Sequence, residues 1–270
     1  MDRLIAFARK SRTRLAERLS GHPVVFIHVP KCGGTSLGRA IRTRYLLSQQ
    51  TIGPEESYRA VASLRPDLAP GSPELFATVH MFRQEILLYL LHGGTRCVSA
   101  HVPFTLAAHR QFSGRYKFVT LLRDPVKRYI SHYFYSYGRN AHAGIHEPLE
   151  SFIESPRGKA YGALYSEFYS GLPAGSDFTA ATAIDQAKAN LDACFSVIGF
   201  LDDLPGMTQK LADELGISIK IGHANKATTP KAERRQAIMP EIEARIRDIC
   251  APDIDIYTHA RNHIRKQATS

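Results

Sequence analysis

Three groups of residues in this chain have the types and spacing to hold an anion and move a proton. The first is Lys31 with Gly33, Gly34, Thr35 and Ser36, inside VVFIHVPKCGGTSLGR. Two glycines let the backbone approach a ligand with no Cβ in the way. Thr35 or Ser36 suits the cap of a helix starting there. The free N–H groups of that helix start, the positive end of its dipole and Lys31 would together cradle a phosphate. The second group is Arg123 with Ser131, in LLRDPVKRYISHY. An arginine fork bonds two phosphate oxygens at once, and Ser131 falls off the apolar stripe of Val126, Ile130 and Tyr133, which leaves its hydroxyl uncommitted. The third is His101, in SAHVPF, a side chain of the right basicity to take a proton from a hydroxyl. His28, just before the glycine loop, is the rival base, and His80 is a more distant one. The chain has 12 histidines, so position alone does not choose among them.

The elements that must position these groups are legible in the apolar pattern. Val24 to Ile27 is a short β-branched run that reads as a buried parallel strand, ended by Pro30. Leu37, Ala40, Ile41 and Tyr45 then recur at helical spacing. Tyr116 to Leu122 reads as a second buried strand leading into Arg123-Asp124-Pro125. Asp124 is placed to cap the next helix and Pro125 to open it, Val126 to Tyr137 keep helical periodicity, and Gly138 stops it. Asp124 and Arg128 read as capping or ion-pair residues. Arg96 to Ala100 reads as a strand delivering His101.

Elsewhere, residues 48 to 75 read as irregular with one short helix near Glu55 to Leu64, and Phe82 to Leu91 as a helix ended by Gly93-Gly94. Residues 139 to 180 read as acceptor-side structure with helices near Pro148 to Glu154 and Ala160 to Tyr169. A helix through Ile184 and Leu191, a strand from Ser196 to Phe200, a helix from Leu204 to Leu215 and a strand-like ISIKI follow. Gly222 to Pro230 is a polar loop, then come helices over Pro240 to Ile249 and Asp253 to Arg265.

The order Pro-Lys-x-Gly-Gly-Thr-Ser is not a Walker A loop, which puts its lysine after the second glycine. It resembles the 5′-phosphosulfate loop of the carbohydrate sulfotransferases that use 3′-phosphoadenylyl sulfate (PAPS). The closest likeness is to the group with the heparan and chondroitin sulfate O-sulfotransferases and their bacterial relatives. Cys32 stands where that loop usually has Thr, a change that an inward-pointing side chain tolerates. The resemblance implies that Arg123 and Ser131 hold the nucleotide 3′-phosphate and that His101 is the catalytic base. It also implies that Lys31 stabilises the leaving phosphate, and that the late loop with Lys226 and Thr228 closes over the nucleotide. Ser99 occupies the position of a second histidine found in some of these enzymes.

The implied fold is α/β: a single P-loop-like domain over residues 21 to 270, with a central parallel sheet flanked by helices on both faces. The implied reaction moves a sulfuryl group from PAPS to an acceptor hydroxyl on a carbohydrate or glycolipid and releases PAP, with no metal. Two readings from other classes compete. A P-loop kinase or phosphotransferase predicts a Walker-type lysine and an acidic Mg²⁺ ligand, and neither is found at the expected place. A non-catalytic basic nucleotide- or nucleic-acid-binding protein predicts basic residues interleaved with aromatics; here they are scattered, so no nucleic-acid partner is expected.

The net charge of +10 and pI near 9.5 suit a polyanionic partner, consistent with an anionic acceptor. The four cysteines are widely spaced, and with no C-x-x-C and no paired histidine spacing they argue against a zinc site or a disulfide framework. Residues 1 to 20 read as a basic amphipathic helix, either packed on the domain or touching a membrane surface. No apolar run is long enough to span a bilayer and no secretory h-region is visible. The expected setting is therefore a bacterial cytoplasm, with contact at the inner membrane face open to the N-terminal helix.

Overall fold

A computed structural model describes residues 21–139, 143–221 and 238–269, with side chains through Ile264. The basic N-terminal segment and the loop with Lys226 and Thr228 lie outside the described residues.

Five strands form one all-parallel sheet: β1 (Val24–Ile27), β2 (Gln49–Ile52), β3 (Cys97–Ala100), β4 (Lys117–Leu122) and β5 (Val197–Phe200), in the order β2-β3-β1-β4-β5. Parallel neighbours need crossover connections, and helices supply them. They are α1 (Gly34–Arg42), α2 (Pro54–Leu64), α3 (Pro73–His92), α4 (Leu106–Phe112), α5 (Pro125–Ser136), α6 (Leu149–Glu154), α7 (Pro156–Tyr161), α8 (Leu164–Tyr169), α9 (Ala181–Cys194), α10 (Leu204–Leu215), α11 (Pro240–Ile249) and α12 (Ala251–Thr269).

Side chains alternate across the pleat, and both alternations are apolar. Val25, Ile27, Val98 and Phe118 face a core completed by α3, α8, α9 and α12. Val24, Phe26, Cys97 and Val119 face a second core completed by α1 and α10. The near-continuous hydrophobic strands are thus explained by helices covering both faces, as expected for this α/β class.

Four sequence expectations change. β2 was read as irregular: it is a polar edge strand, with only Ile52 buried, so it carries no apolar signature. The helix read from Phe82 begins at Pro73, capped by the Ser72 hydroxyl, which accepts from Leu75 N–H at 3.2 Å. The helix read over Ala160 to Tyr169 is split into α7 and α8. ISIKI pairs with no strand; Ile217, Ile219 and Ile221 cover the α1/α10 core from an extended segment.

The stretch expected to form acceptor-side structure also contributes to the core. Leu164, Tyr165, Phe168 and Tyr169 of α8 belong to the main core beneath the sheet.

The sheet order reverses between β1 and β4. Chains leaving the carboxyl ends of these strands diverge to opposite sides, and the crevice between them is where open α/β sheets bind ligands. The glycine loop leaves β1, Arg123 leaves β4, and His101 leaves β3 on the other side of β1.

Candidate active site

The loop after β1 is built for an anion. α1 begins at Gly34, earlier than the sequence suggested, so Thr35 and Ser36 sit inside its first turn instead of capping it. The N-cap is Gly33, in the left-handed region at φ 83°, and no side chain caps the helix. Among the described residues nothing accepts from the N–H groups of Gly34, Thr35 and Ser36, the groups that a helix start presents to an oxyanion. Thr35 is exposed and Ser36 half-buried.

The two glycines serve different ends. Gly33 needs its positive φ. Gly34 makes room beneath the loop: a Cβ there would lie 1.8 Å from the His28 ring. Lys31 also has positive φ, 70°, which is costly for a residue with a Cβ. Such strain marks positions the surrounding structure holds for a purpose. Its ammonium lies 3.6 Å from the centroid of the Tyr135 ring, and the Arg139 guanidinium lies 3.9 Å from the same ring.

Arg123 joins this loop to β4. Its Nη1 donates to the Lys31 carbonyl at 2.9 Å, across 92 residues of chain. Tyr165 locks the junction from below. Its hydroxyl accepts from Arg123 N–H at 2.8 Å, donates to the Arg123 carbonyl at 2.5 Å and lies 3.3 Å from Cys32 Sγ. Cys32 is fully buried, so it does point away from the loop's open side. Burial pulls the Arg123 pKa below the usual arginine value, and the guanidinium remains charged at neutral pH.

Ser131 stays half-buried on α5 and makes no side-chain hydrogen bond among the described residues; no contact joins it to Arg123. Asp124 caps α5, accepting from Lys127 N–H at 2.9 Å. Arg128 does form an ion pair, but a fully buried one with Asp253, at 3.1 Å. Asp253 also accepts from Tyr165 N–H at 2.8 Å and so fixes α8 below the site.

His101 follows β3, and the pairing of Ile27 with Ala100 sets it beside His28. The two rings are 4.2 Å apart. His101 Nδ1 lies 2.8 Å from the His28 carbonyl. A carbonyl can only accept, so Nδ1 carries the proton and the neutral ring keeps its lone pair on Nε2. The His101 carbonyl accepts from Arg83 Nη1 at 3.1 Å, and Arg83 also holds Ser57 and the Pro54 carbonyl. Burial, then the nearby charges of Arg83, His80 and Lys31, lower the His101 pKa to about 4 against the opposing pull of the His28 carbonyl. The histidine is neutral at working pH.

The other two candidate histidines have different surroundings. His28 is buried, its ring stacked on Phe26 at 4.6 Å and wedged under Gly34. His80 Nδ1 is 2.7 Å from Glu167 Oε1. A further buried imidazole, His132, stacks on Tyr161 at 4.3 Å, and burial together with Arg128 and Lys31 drives its pKa well below the usual value.

Sequence reasoning missed Tyr165, Arg83 and Tyr135. Arg83 left a trace: it is a charge on the buried face of an otherwise apolar helix. The two tyrosines left none, because the loop residues they meet, Cys32 and Arg123 for Tyr165 and Lys31 for Tyr135, lie far away in the chain.

A glycine-bounded helix start with no side-chain cap, at the switch point of an all-parallel sheet covered by helices, defines a P-loop-like α/β protein. The chain matches the Sulfotransferase family over residues 19–257 and belongs to it. No curated protein matches the chain. Among the described residues no helix is long and apolar enough to cross a membrane.

Proposed function

We propose that this sulfotransferase takes its sulfuryl group from PAPS and delivers it to a hydroxyl of a carbohydrate or glycolipid, releasing PAP. The observation that carries the reading is the Arg123–Lys31 bond: it holds the Arg123 guanidinium against the loop that carries Lys31, whose helix N–H groups find no acceptor among the described residues. That set suits a donor bearing phosphates at both ends of its ribose. PAPS supplies an activated sulfuryl group on a phosphate leaving group; the rest is the work of this chain's residues.

Gly34, Thr35 and Ser36 hold the 5′-phosphate oxygens by their N–H groups. Lys31 offsets the negative charge that grows on the leaving phosphate, a role for a positioned cation in a site with little water. Arg123 keeps further N–H groups for the 3′-phosphate while its Nη1 fixes the loop, and Ser131, Lys226 and Thr228 are proposed to add hydroxyl and ammonium contacts. His101 Nε2 accepts the proton of the acceptor hydroxyl as the new S–O bond forms. An anion bound nearby raises the pKa of His101 from about 4 toward the range where a base is effective. The surplus of basic residues favours an anionic acceptor. The same composition and the basic segment at residues 1 to 20 suit work in the cytoplasm at the inner membrane face.

Calorimetric titration with PAP, 5′-AMP and ATP tests this. Tight PAP binding with weak AMP binding is expected, because only PAP has the 3′-phosphate. Preference for ATP would put a nucleotide phosphotransferase in its place.

A further inference from the structure

A cavity of about 200 Å³ opens at the other end of the sheet, lined in part by Asp192 and His263. Asp192 lies near the end of α9, just before β5 begins, so it is at the amino edge of the sheet, away from Lys31, Arg123 and His101 at the carboxyl edge. Facing it on α12 are His259 and His263, four residues apart and so on one helix face. Against the expectation of no paired histidine spacing, these two stand at the i, i+4 spacing of a ligand pair.

His259 Nε2 lies 2.8 Å from Asp192 Oδ2, and His263 Nδ1 lies 3.3 Å from Oδ1. One donor atom from each of the three residues falls within 4.8 Å of the others. Asp192 Oδ1 is buried, and the His263 ring nitrogen 3.3 Å away is an ion-pair contact that makes no hydrogen bond to it. The three side chains are roughly one-third exposed, at 29%, 35% and 30%, so an ion can reach them from solvent.

We propose that Asp192, His259 and His263 bind a divalent transition-metal ion, zinc by preference, that clamps α12 to α9. Two imidazoles and one carboxylate are an N/O donor set suited to zinc. Tetrahedral bonds of about 2.0–2.2 Å place ligand atoms roughly 3.3–3.6 Å apart, near the 2.8 and 3.3 Å that already separate Asp192 from the two imidazoles, within the reach of side-chain rotation on two packed helices. Each imidazole offers a ring-nitrogen lone pair to the ion, and the buried Oδ1 gains a ligand. Water from the adjoining cavity completes the coordination. The site is remote from the sulfuryl-transfer centre, so the ion is structural.

The test uses the full-length, tag-free protein stripped with a chelator and titrated with Zn²⁺ against a chromophoric competitor. One equivalent should bind and raise Tm, while PAP affinity stays unchanged. His259→Gln and His263→Gln should each weaken zinc binding by more than the roughly 10–100-fold typical of losing only an outer partner, and the zinc-dependent rise in Tm should vanish. Asp192→Asn gives a third reading should a histidine variant fail to fold, as judged by circular dichroism and PAP binding. Absence of stoichiometric binding, or binding undiminished in folded variants, overturns the site. A change in PAP affinity on zinc addition overturns the structural role.

Discussion

His101 and His28 sit on adjacent strand ends, and the backbone carbonyl of one fixes the proton of the other: Nδ1 donates to the His28 oxygen at 2.8 Å. His101 is thereby held with its proton on Nδ1 and its lone pair on Nε2, while His28 lies buried beneath Gly34. This relationship sets the expected pH behaviour. The free protein holds His101 depressed to about 4, chiefly by burial, so the acid limb of kcat/KM should fall well below the ordinary histidine value of ~6.5. The anionic donor raises that pKa, so the limb of kcat should lie at higher pH than that of kcat/KM. Coincident limbs, or an acid limb retained unchanged in a His101→Ala variant with residual activity, would move the proton transfer to another group.

The same depression bears on stability. Unfolded, His101 and His132 take up protons as pH falls through ~6.5; folded, they resist until much lower pH, His101 until about 4. The contribution is complete above the unfolded pKa and is lost as pH falls toward the folded one. Urea midpoints should therefore drop steadily from pH 7 to pH 4.5. A His132→Phe variant should lose less than the parent over that range, and an equal loss would exclude His132 as a source.

Lys31→Ala should lower turnover by about 10²–10³-fold, the usual loss for one positioned group that stabilises developing charge. Single-turnover kinetics with saturating donor would read this directly. Near-normal turnover would remove Lys31 from the reaction.

Arg123→Ala should weaken PAP binding by ~1.5–3 kcal/mol, the range for hydrogen bonds to a charged group. It also frees the Lys31 carbonyl, so AMP should lose affinity too, by less. Calorimetry on both ligands separates the 3′-phosphate contact from the loop contact, and unchanged PAP affinity would contradict both.

Gly34→Ala forces a methyl into the His28 ring, 1.8 Å away, and should destabilise the fold by about 1–3 kcal/mol as an overpacking change. Adding His28→Ala should recover part of that loss. Chemical denaturation of the two single variants and the double variant gives the coupling; additive effects would show that the ring does not fill that space.

Asp253→Ala strands the buried Arg128 charge and removes the acceptor for Tyr165 N–H. A loss of about 3–5 kcal/mol is expected, measured by thermal unfolding. A milder cost would mean that Arg128 finds another partner or reaches water.

The sequence by itself determined the buried strands β1 and β4, the glycine loop and the helix capped by Asp124, because those signals are local. A run of β-branched residues, a Gly-Gly pair and an Asp-Pro dipeptide each act on backbone within a few residues of themselves. Likewise Lys31, Gly33, Gly34 and Arg123 were legible, since each follows a strand whose apolar run marks its end. The edge strand β2 was not, because one covered residue gives no apolar pattern. How His101 and His28 are paired, why Gly34 has no side chain, and how Tyr165, Arg83 and Asp253 hold the loops follow from tertiary structure alone. Those facts depend on strand order and register, which bring together atoms far apart in the chain, and no local preference encodes a distance of that kind.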